Sequence, residues 1–298
     1  MANAINYAKN YSDTLAQAWP YVLNFGALYA TPNNGRFRWR GGKTVEIPSV
    51  STTGRVASLR DSVTTAARNF DNAWETKTLS NQRQWCTLIH PQDIDQTNMA
   101  LTISNITSVF NNEHKFPEMD AYCISKIYAD WTALNKSADT TALTAANILT
   151  KFDSMMQSMT EKRVPLSGRI LYVIPSVMTL LKTASGLTRS VDSSGAEGGR
   201  INRTVTMLDG VQVVEVPSEL MKTSYTFTSG WAAATDAKQI QMLLIHPESV
   251  ITPVSYTFAQ LDEPSALTGG KYVYFEESFE DVFILNKRAD GISFIIAS

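Results

Sequence analysis

The sequence predicts an α+β fold, because helix-like and strand-like patterns dominate different parts of the chain. Strand-like runs fill much of residues 36–90 and 251–298, whereas apolar residues at helical spacing follow Pro91. Between residues 141 and 250 the two patterns alternate, as they do in mixed α/β domains. The chain has 298 residues and is 44% hydrophobic, which is enough apolar material for a sizeable core. The predicted parts are an N-terminal arm (1–35), an extended β-hairpin (36–90), a segment with a long helix (91–140), a mixed α/β domain (141–250) and a set of returning strands (251–298).

The arm is rich in aromatic side chains, which need an apolar surface on which to pack. The surface of a partner is one place where they can be buried. The residues concerned are Tyr7, Tyr11, Trp19, Tyr21, Phe25 and Tyr29.

Two strand-like runs with a polar stretch between them predict the hairpin. The first run is FRWRGGKTVEIPSV, the stretch between is STTGRVASLRDSVTTAARNFD, and the second run is WETKTLSNQRQWCTLIHP. Such a hairpin is only marginally stable alone, so we expect it to lie on another surface. It carries nine Lys or Arg against four Asp or Glu, a net charge of +5, while the whole chain is −2. The arm is neutral, so the remainder is −7; a solvated loop and a basic contact with a neighbouring copy or a polyanion both fit this asymmetry.

A long helix is predicted after Pro91, which suits a first helical turn. Apolar residues at helical spacing continue as far as Trp131, and we expect the helix to kink or restart near Pro117.

The segment MLDGVQVVEVPS predicts a β-hairpin inside the mixed α/β domain. Asp209 and Gly210 form the expected tight turn, because Asp-Gly tolerates the positive φ angles that two-residue loops require. The valines Val211, Val213 and Val216 are expected to pack inward. The runs GRILYVIPS and QIQMLLIHP predict two further buried strands.

The sequence lacks the usual signatures of enzymatic chemistry. GGKT at residues 41–44 resembles the end of a phosphate-binding loop, but the first glycine of that motif is replaced by Phe37. The histidines have no HExxH spacing, Cys86 and Cys123 have no CxxC spacing, and no GxSxG occurs. We therefore predict no catalytic residue, no cofactor, no metal site and no enzyme activity.

No apolar run approaches the roughly 20 residues that span a bilayer, and the N-terminus lacks a hydrophobic signal core. This pattern predicts a soluble protein that is made inside the cell and does not enter a membrane. A net charge of −2 also disfavours a general nucleic-acid binder with an overall basic surface.

An acidic cluster near the C-terminus comprises Glu276, Glu277, Glu280 and Asp281. In a strand, successive side chains point to opposite faces, so the four carboxylates cannot all converge on one site. An acidic surface that matches the basic hairpin of another copy is the preferred interpretation. The candidate subunit-contact residues are Arg55, Arg60, Arg68, Glu276, Glu277 and Glu280.

The order of these parts resembles the major capsid proteins of tailed bacteriophages, the Hong Kong 97 capsid fold that encapsulins share. The resemblance is carried by FPEMDAYCISKIYAD, by MTEKRVPLSGRILYVIPSVMTLLKTAS, by LDGVQVVEVPSELM and by KYVYFEESFEDVFILNKRADGI. In that family the parts are the N-terminal arm, the hairpin called the E-loop, the spine helix of the P-domain, the mixed α/β A-domain and the returning strands of the P-domain.

The resemblance implies a structural subunit that assembles with many copies of itself into hexamers and pentamers. These would tile an icosahedral shell, the capsid of a virion, around packaged double-stranded DNA that is contacted non-specifically on the inner face. The subunit would be made in the host bacterial cytoplasm. Expected partners are portal and decoration proteins, and a separate scaffolding protein, since no charge-rich helical segment precedes the arm. Some members form Lys–Asn crosslinks between subunits, for which Lys77 and Asn286 are candidates here.

Two alternatives remain open from the sequence. One is an encapsulin-like shell that encloses an enzyme, which has the same fold. The other is a metabolic α/β enzyme built on residues 141–250, which needs convergent polar residues at the carboxyl ends of its strands. The strand ends here carry Pro-Ser and His-Pro, which disfavours the enzyme.

Overall fold

The computed structural model describes residues 20–55, 68–96, 102–184, 191–192, 200–201 and 205–297. Helices and strands occur in separate and in alternating segments, which confirms the α+β fold class. The α-helices are α1 (Gly26–Tyr29), α2 (Pro91–Gln96), α3 (Ile103–Phe110), α4 (Phe116–Ala133), α5 (Ile148–Glu161) and α6 (Pro175–Thr183). The strands are β1 (Arg38–Trp39), β2 (Thr44–Thr52), β3 (Phe70–Thr78), β4 (Gln82–Ile89), β5 (Ile170–Val173), β6 (Val191–Asp192), β7 (Arg200–Ile201), β8 (Met207–Leu208), β9 (Val211–Glu215), β10 (Tyr225–Thr226), β11 (Ala232–Ala233), β12 (Ile240–Ile245), β13 (Val250–Ile251), β14 (Val254–Asp262), β15 (Tyr272–Glu280), β16 (Phe283–Ile284) and β17 (Ile292–Ile296).

The main core surrounds a five-stranded sheet in the order β17-β12-β5-β9-β8. β5 and β9 are parallel, with α6 between them in the chain, and the other neighbours are antiparallel. The two central strands β5 and β12 are almost uniformly apolar, because both of their faces are covered. The turn at Asp209 and Gly210 has φ angles of 48° and 78°, as predicted. The predicted inward packing of Val211, Val213 and Val216 is also confirmed.

The last strand joins the five-stranded sheet. β17, in the predicted segment 251–298, pairs with β12, in the predicted segment 141–250, at the edge of that sheet. Its residues Ile292, Phe294, Ile295 and Ile296 are all buried, which suits a sheet in the main core and not one with an exposed face.

The predicted kink near Pro117 is present as a wider turn in the long helix. Between α3 and α4, residues Asn111–Lys115 form a π-helical turn, and Pro117 stands in the first turn of α4. Proline has no N–H to donate to the carbonyl four residues earlier, so a regular α-helix is interrupted there. Trp131 and Tyr128, near the end of α4, pack their rings against Phe294 of β17.

The second predicted run of the hairpin is two strands and not one. β3 pairs with β2 in a sheet of order β1-β2-β3, whereas β4 leaves the hairpin and pairs with β15 in a sheet of order β14-β15-β4. The break occurs because Leu79 is buried below the hairpin and the backbone N–H of Ser80 bonds to the carboxylate of Asp281.

Part of the aromatic arm is buried on its own chain. Phe25 is fully buried, and Tyr21 and Tyr29 pack at the edge of the same core. The buried carboxylate of Asp120 on α4 accepts bonds from the Tyr21 hydroxyl (2.6 Å) and from the backbone N–H groups of Asn24 (2.9 Å) and Phe25 (3.2 Å). Tyr7, Tyr11 and Trp19 lie outside the described residues.

Candidate functional site

The hairpin formed by β2 and β3 has two chemically different faces. Directly paired residues share a face, so Val45 lies on the same side as Lys77, and Pro48 on the same side as Trp74. The odd-numbered side is turned toward the body of the protein, as the full burial of Val45 shows. We call the even-numbered side the outer face of the hairpin.

The outer face carries a stripe of exposed apolar side chains. Val50, Phe70 and Trp74 expose 61%, 56% and 47% of their surface, and we name these three residues the apolar stripe. Two arginines extend it: the Arg38 guanidinium lies 5.3 Å from the ring of Trp74, and that of Arg68 lies 5.1 Å from the ring of Phe70. Large apolar side chains that lie together in solvent are typical of a surface that binds another protein.

The body-facing side of the hairpin is anchored near its base, and farther along Lys287 donates to the backbone oxygen of Val50 (3.1 Å). Val45 belongs to a small apolar cluster, against which Ile47 packs. Beside this cluster, the Lys77 ammonium contacts Glu75 (3.0 Å) and donates to the Asn286 side-chain oxygen (3.1 Å). The two candidates for a crosslink between subunits therefore meet within one chain, where their contact helps to fix the base of the hairpin.

Asp281 joins the hairpin, the long helix and the second sheet. Its buried carboxylate accepts the backbone N–H (2.8 Å) and the hydroxyl (3.2 Å) of Ser80, the hydroxyl of Tyr122 on α4 (2.7 Å) and the backbone N–H of Val282 (2.8 Å). Burial, followed by the negative charge of Asp281, raises the pKa of Tyr122, which keeps this hydroxyl a donor. One side chain thus sets the position at which the hairpin leaves the body.

The sheet β14-β15-β4 turns one face toward the long helix. Trp85 stacks on Phe110 with ring centroids 3.9 Å apart, and Arg83 bonds to Glu118 (2.5 Å). A groove of about 540 Å³ separates the helix from this face and is lined by both Glu276 and Glu280. These carboxylates therefore lie between two elements of the same chain.

The opposite face of that sheet is open and aromatic, and we call it the open sheet face. Tyr256 and Phe258 expose 46% and 39% of their surface, and Phe258 also contacts the ring of Phe275. Glu277 is the register partner of Phe258 and lies on this face, where it accepts a bond from Gln82 (2.5 Å). The open sheet face, with its aromatic rings and the carboxylate of Glu277, is therefore complementary to the outer face of the hairpin, with its apolar stripe and arginines.

The six predicted contact residues fall into three groups. Arg55 and Arg68 are exposed near the far end of the hairpin, and Arg60 lies outside the described residues. Glu277 lies on the open sheet face. Glu276 and Glu280 face the helix, where Lys115 pairs with Glu276 at 3.1 Å. Burial raises the pKa of Glu280, while the charge of Lys115 acts in the opposite direction.

Sequence reasoning missed the aromatic side chains of the two surfaces. Trp74, Tyr256 and Phe258 lie in strand-like runs, and their alternation with polar residues was visible. That alternation marks one apolar face, but it does not tell whether the face meets the core or the solvent.

The described residues offer no group of three or more His, Cys, Asp or Glu side chains that could hold a metal ion. Among the helices of the same residues, none is both long enough and apolar enough to cross a bilayer.

Solved structures share this architecture over nearly the whole chain. The capsid structure of the cyanophage P-SCSP1u superposes with a TM-score of 0.66 at 14% identity, covering 98% of this chain and 93% of that chain. A structure from Mycobacterium phage Che8 gives 0.65 at 16% identity, covering 97% and 96%. The mature capsid of bacteriophage PhiM1 gives 0.63 at 16% identity, covering 86% and 82%. This chain has the phage capsid fold.

The resemblance stated from the sequence is confirmed at the level of the fold. Sequence similarity alone does not detect it, because no protein-family model and no curated protein sequence matches the chain. The division into five parts and the contact role of the six charged residues stay predictions.

Replacing Asp281 with Asn is expected to lower the free energy of unfolding by about 2–4 kcal/mol. The amide keeps the shape of the carboxylate but turns one acceptor oxygen into a donor, so either Ser80 or Tyr122 loses its partner. Urea unfolding of the unassembled protein, followed by tryptophan fluorescence, measures the change.

Glu277→Gln is the matched control, because it removes a nearby carboxylate whose one hydrogen-bond partner among the described residues is Gln82. We expect this control to change the free energy of unfolding by less than about 0.5 kcal/mol. Equal losses in the two variants would contradict the role assigned to Asp281.

Proposed function

We propose that this protein is the major capsid subunit of a tailed bacteriophage. It assembles into hexamers and pentamers that tile an icosahedral shell around packaged double-stranded DNA, and it resides in the virion. The observation that carries the proposal is the phage capsid fold over nearly the whole chain. The hairpin adds independent support, because it is anchored at its base and leaves an apolar stripe uncovered.

In the shell, the hairpin of one copy lies on the open sheet face of a neighbour. Val50, Phe70 and Trp74 supply apolar surface, and Arg68 supplies positive charge beside it. The open sheet face supplies aromatic rings and the carboxylate of Glu277. Aromatic side chains and arginine are enriched in protein interfaces, where such rings dominate the binding energy.

Other partners follow from the same function. A separate scaffolding protein guides assembly, a portal protein occupies one vertex, and decoration proteins bind the outside. Packaged DNA contacts the inner face without sequence preference, and the subunit is made in the cytoplasm of the host bacterium.

An encapsulin-like shell is the second candidate, since it would use the same fold and the same contacts. Particles purified from the native source separate the two candidates, because a capsid encloses double-stranded DNA whereas an encapsulin encloses a protein cargo. The metabolic enzyme is not favoured by any observation on the described residues.

The purified protein is expected to form capsomers or closed shells, visible by negative-stain microscopy and sedimentation. Val50→Asp should abolish shell formation, because it places a charge in the apolar stripe, while the far-UV circular dichroism of the subunit stays unchanged. Val50→Ile keeps the apolar surface and should assemble. A wild-type protein that remains a stable monomer contradicts the proposed function; shells of Val50→Asp contradict only the role of the stripe.

Charge reversal at Arg55, Arg60 and Arg68 is expected to impair shell formation most strongly at low salt. Added salt screens the repulsion between exposed charges and should restore part of the assembly. The triple Arg→Lys variant preserves the charge and is the control. Normal assembly of the charge-reversed variant at both low and high salt rules out electrostatic docking of the hairpin.

A further inference from the structure

A cleft with excess positive charge lies where the C-terminal end of α5 meets the turn Asn286–Gly291. It has a volume of about 280 Å³. We call it the basic cleft; its charged lining residues are Lys162, Arg163, Lys287, Arg288, Glu248 and Asp290.

Both carboxylates of the basic cleft already have cationic partners. Glu248 pairs with Arg288 at 2.7 Å and with Arg36 at 3.8 Å, and Asp290 pairs with Lys136 at 2.5 Å. Arg36 and Lys136 therefore bring further positive charge to the two carboxylates.

The cations at the end of α5 remain available for a ligand. Lys162 and Arg163 are exposed, and neither side chain makes an ion pair or a hydrogen bond with any other residue that the structure describes. Within the described part of the chain, the Lys287 ammonium donates to the backbone oxygen of Val50 alone, at 3.1 Å. The basic cleft thus keeps a net positive charge on a chain whose total charge is −2.

Hydrogen bonds from buried side chains fix the backbone of the segment that follows Lys162 and Arg163. The buried guanidinium of Arg169 donates to the backbone oxygens of Val164 (2.7 Å) and Pro165 (2.9 Å). The ring of His246 contacts the backbone oxygen of Ser167 at 3.1 Å; its other nitrogen accepts an N–H, so this one donates. Lys162 and Arg163 therefore lie beside a loop whose backbone is held by hydrogen bonds.

The lining of the basic cleft favours a nucleic acid over an acidic protein. Stable protein–protein interfaces have an apolar core, and this cleft offers only Val164 and Pro165 as apolar lining. Protein–DNA interfaces are instead polar and strongly positive. A groove beside the base of the hairpin shares Lys287 and Arg288 with the basic cleft but adds the apolar side chains of Phe37, Ile47 and Leu285 to its lining.

We propose that the basic cleft binds the phosphate backbone of double-stranded DNA without sequence preference. This inference rests on the proposed function, and it makes the surface around Lys162 and Arg163 part of the inner face of the shell. Lysine and arginine contacts to phosphates fix the position of DNA but carry no sequence information.

Binding of a short DNA duplex to the unassembled protein tests the proposal, measured by fluorescence anisotropy over a range of salt concentrations. The wild-type affinity should fall steeply with salt, because each phosphate contact contributes about 0.9 to the slope of log K against log salt. Lys162→Gln combined with Arg163→Gln should reduce that slope by about 2. Lys222→Gln combined with Lys238→Gln makes the same charge change outside the cleft and should leave the slope unchanged.

An equal slope for the cleft variant and the wild type overturns the proposal. The proposal is also overturned if the wild-type protein binds polyglutamate but not the duplex, and if the cleft variant loses the binding of polyglutamate. The partner is then an acidic protein. Shell formation by the same preparations is followed in parallel. Shells with an unchanged slope refute only this inference, whereas a wild-type protein that never forms shells refutes the proposed function.

Discussion

Two buried carboxylates hold the parts of this molecule in their relative positions. A buried carboxylate is costly unless its oxygens accept hydrogen bonds, so Asp120 and Asp281 each demand several donors at fixed places. Asp120 takes its donors from the segment that contains Tyr21 and Asn24, and Asp281 takes its donors from Ser80 and Tyr122. Asp120 and Tyr122 are both on α4, so this helix fixes the arm, the point where the chain leaves β3 and the second sheet together.

This arrangement explains why the base of the hairpin is fixed while some of its apolar side chains remain exposed. Its base contributes Val45 to an apolar cluster, whereas Val50, Phe70 and Trp74 remain exposed between its middle and its far end. A two-stranded ribbon of this kind gains little stability from its own contacts. A second surface that covers the apolar stripe supplies the missing burial, and a neighbouring copy offers such a surface on its open sheet face.

The sequence predicted those features that depend on local patterns. The turn at Asp209 and Gly210 and the interruption near Pro117 follow from backbone preferences, and the buried strand β12 follows from its apolar run. The break at Leu79 and the pairing of β17 with β12 depend on contacts between distant residues, which no local pattern encodes. Strand alternation likewise places Glu276 and Glu277 on opposite faces of β15. It does not tell which of these faces meets the helix, because that depends on packing between distant parts of the chain.

The most direct test of the account compares hydrogen exchange in the unassembled subunit and in the assembled shell. If the hairpin of one copy lies on its neighbour, the amides of β2 and β3 should exchange at least ~10-fold more slowly after assembly, because opening the hairpin then also exposes the covered stripe. The amides of β5 and β12 should not change, since the core that contains them is complete in a single chain. Exchange in β2 and β3 that is equally fast in subunit and shell would contradict the central claim that this hairpin joins neighbouring copies.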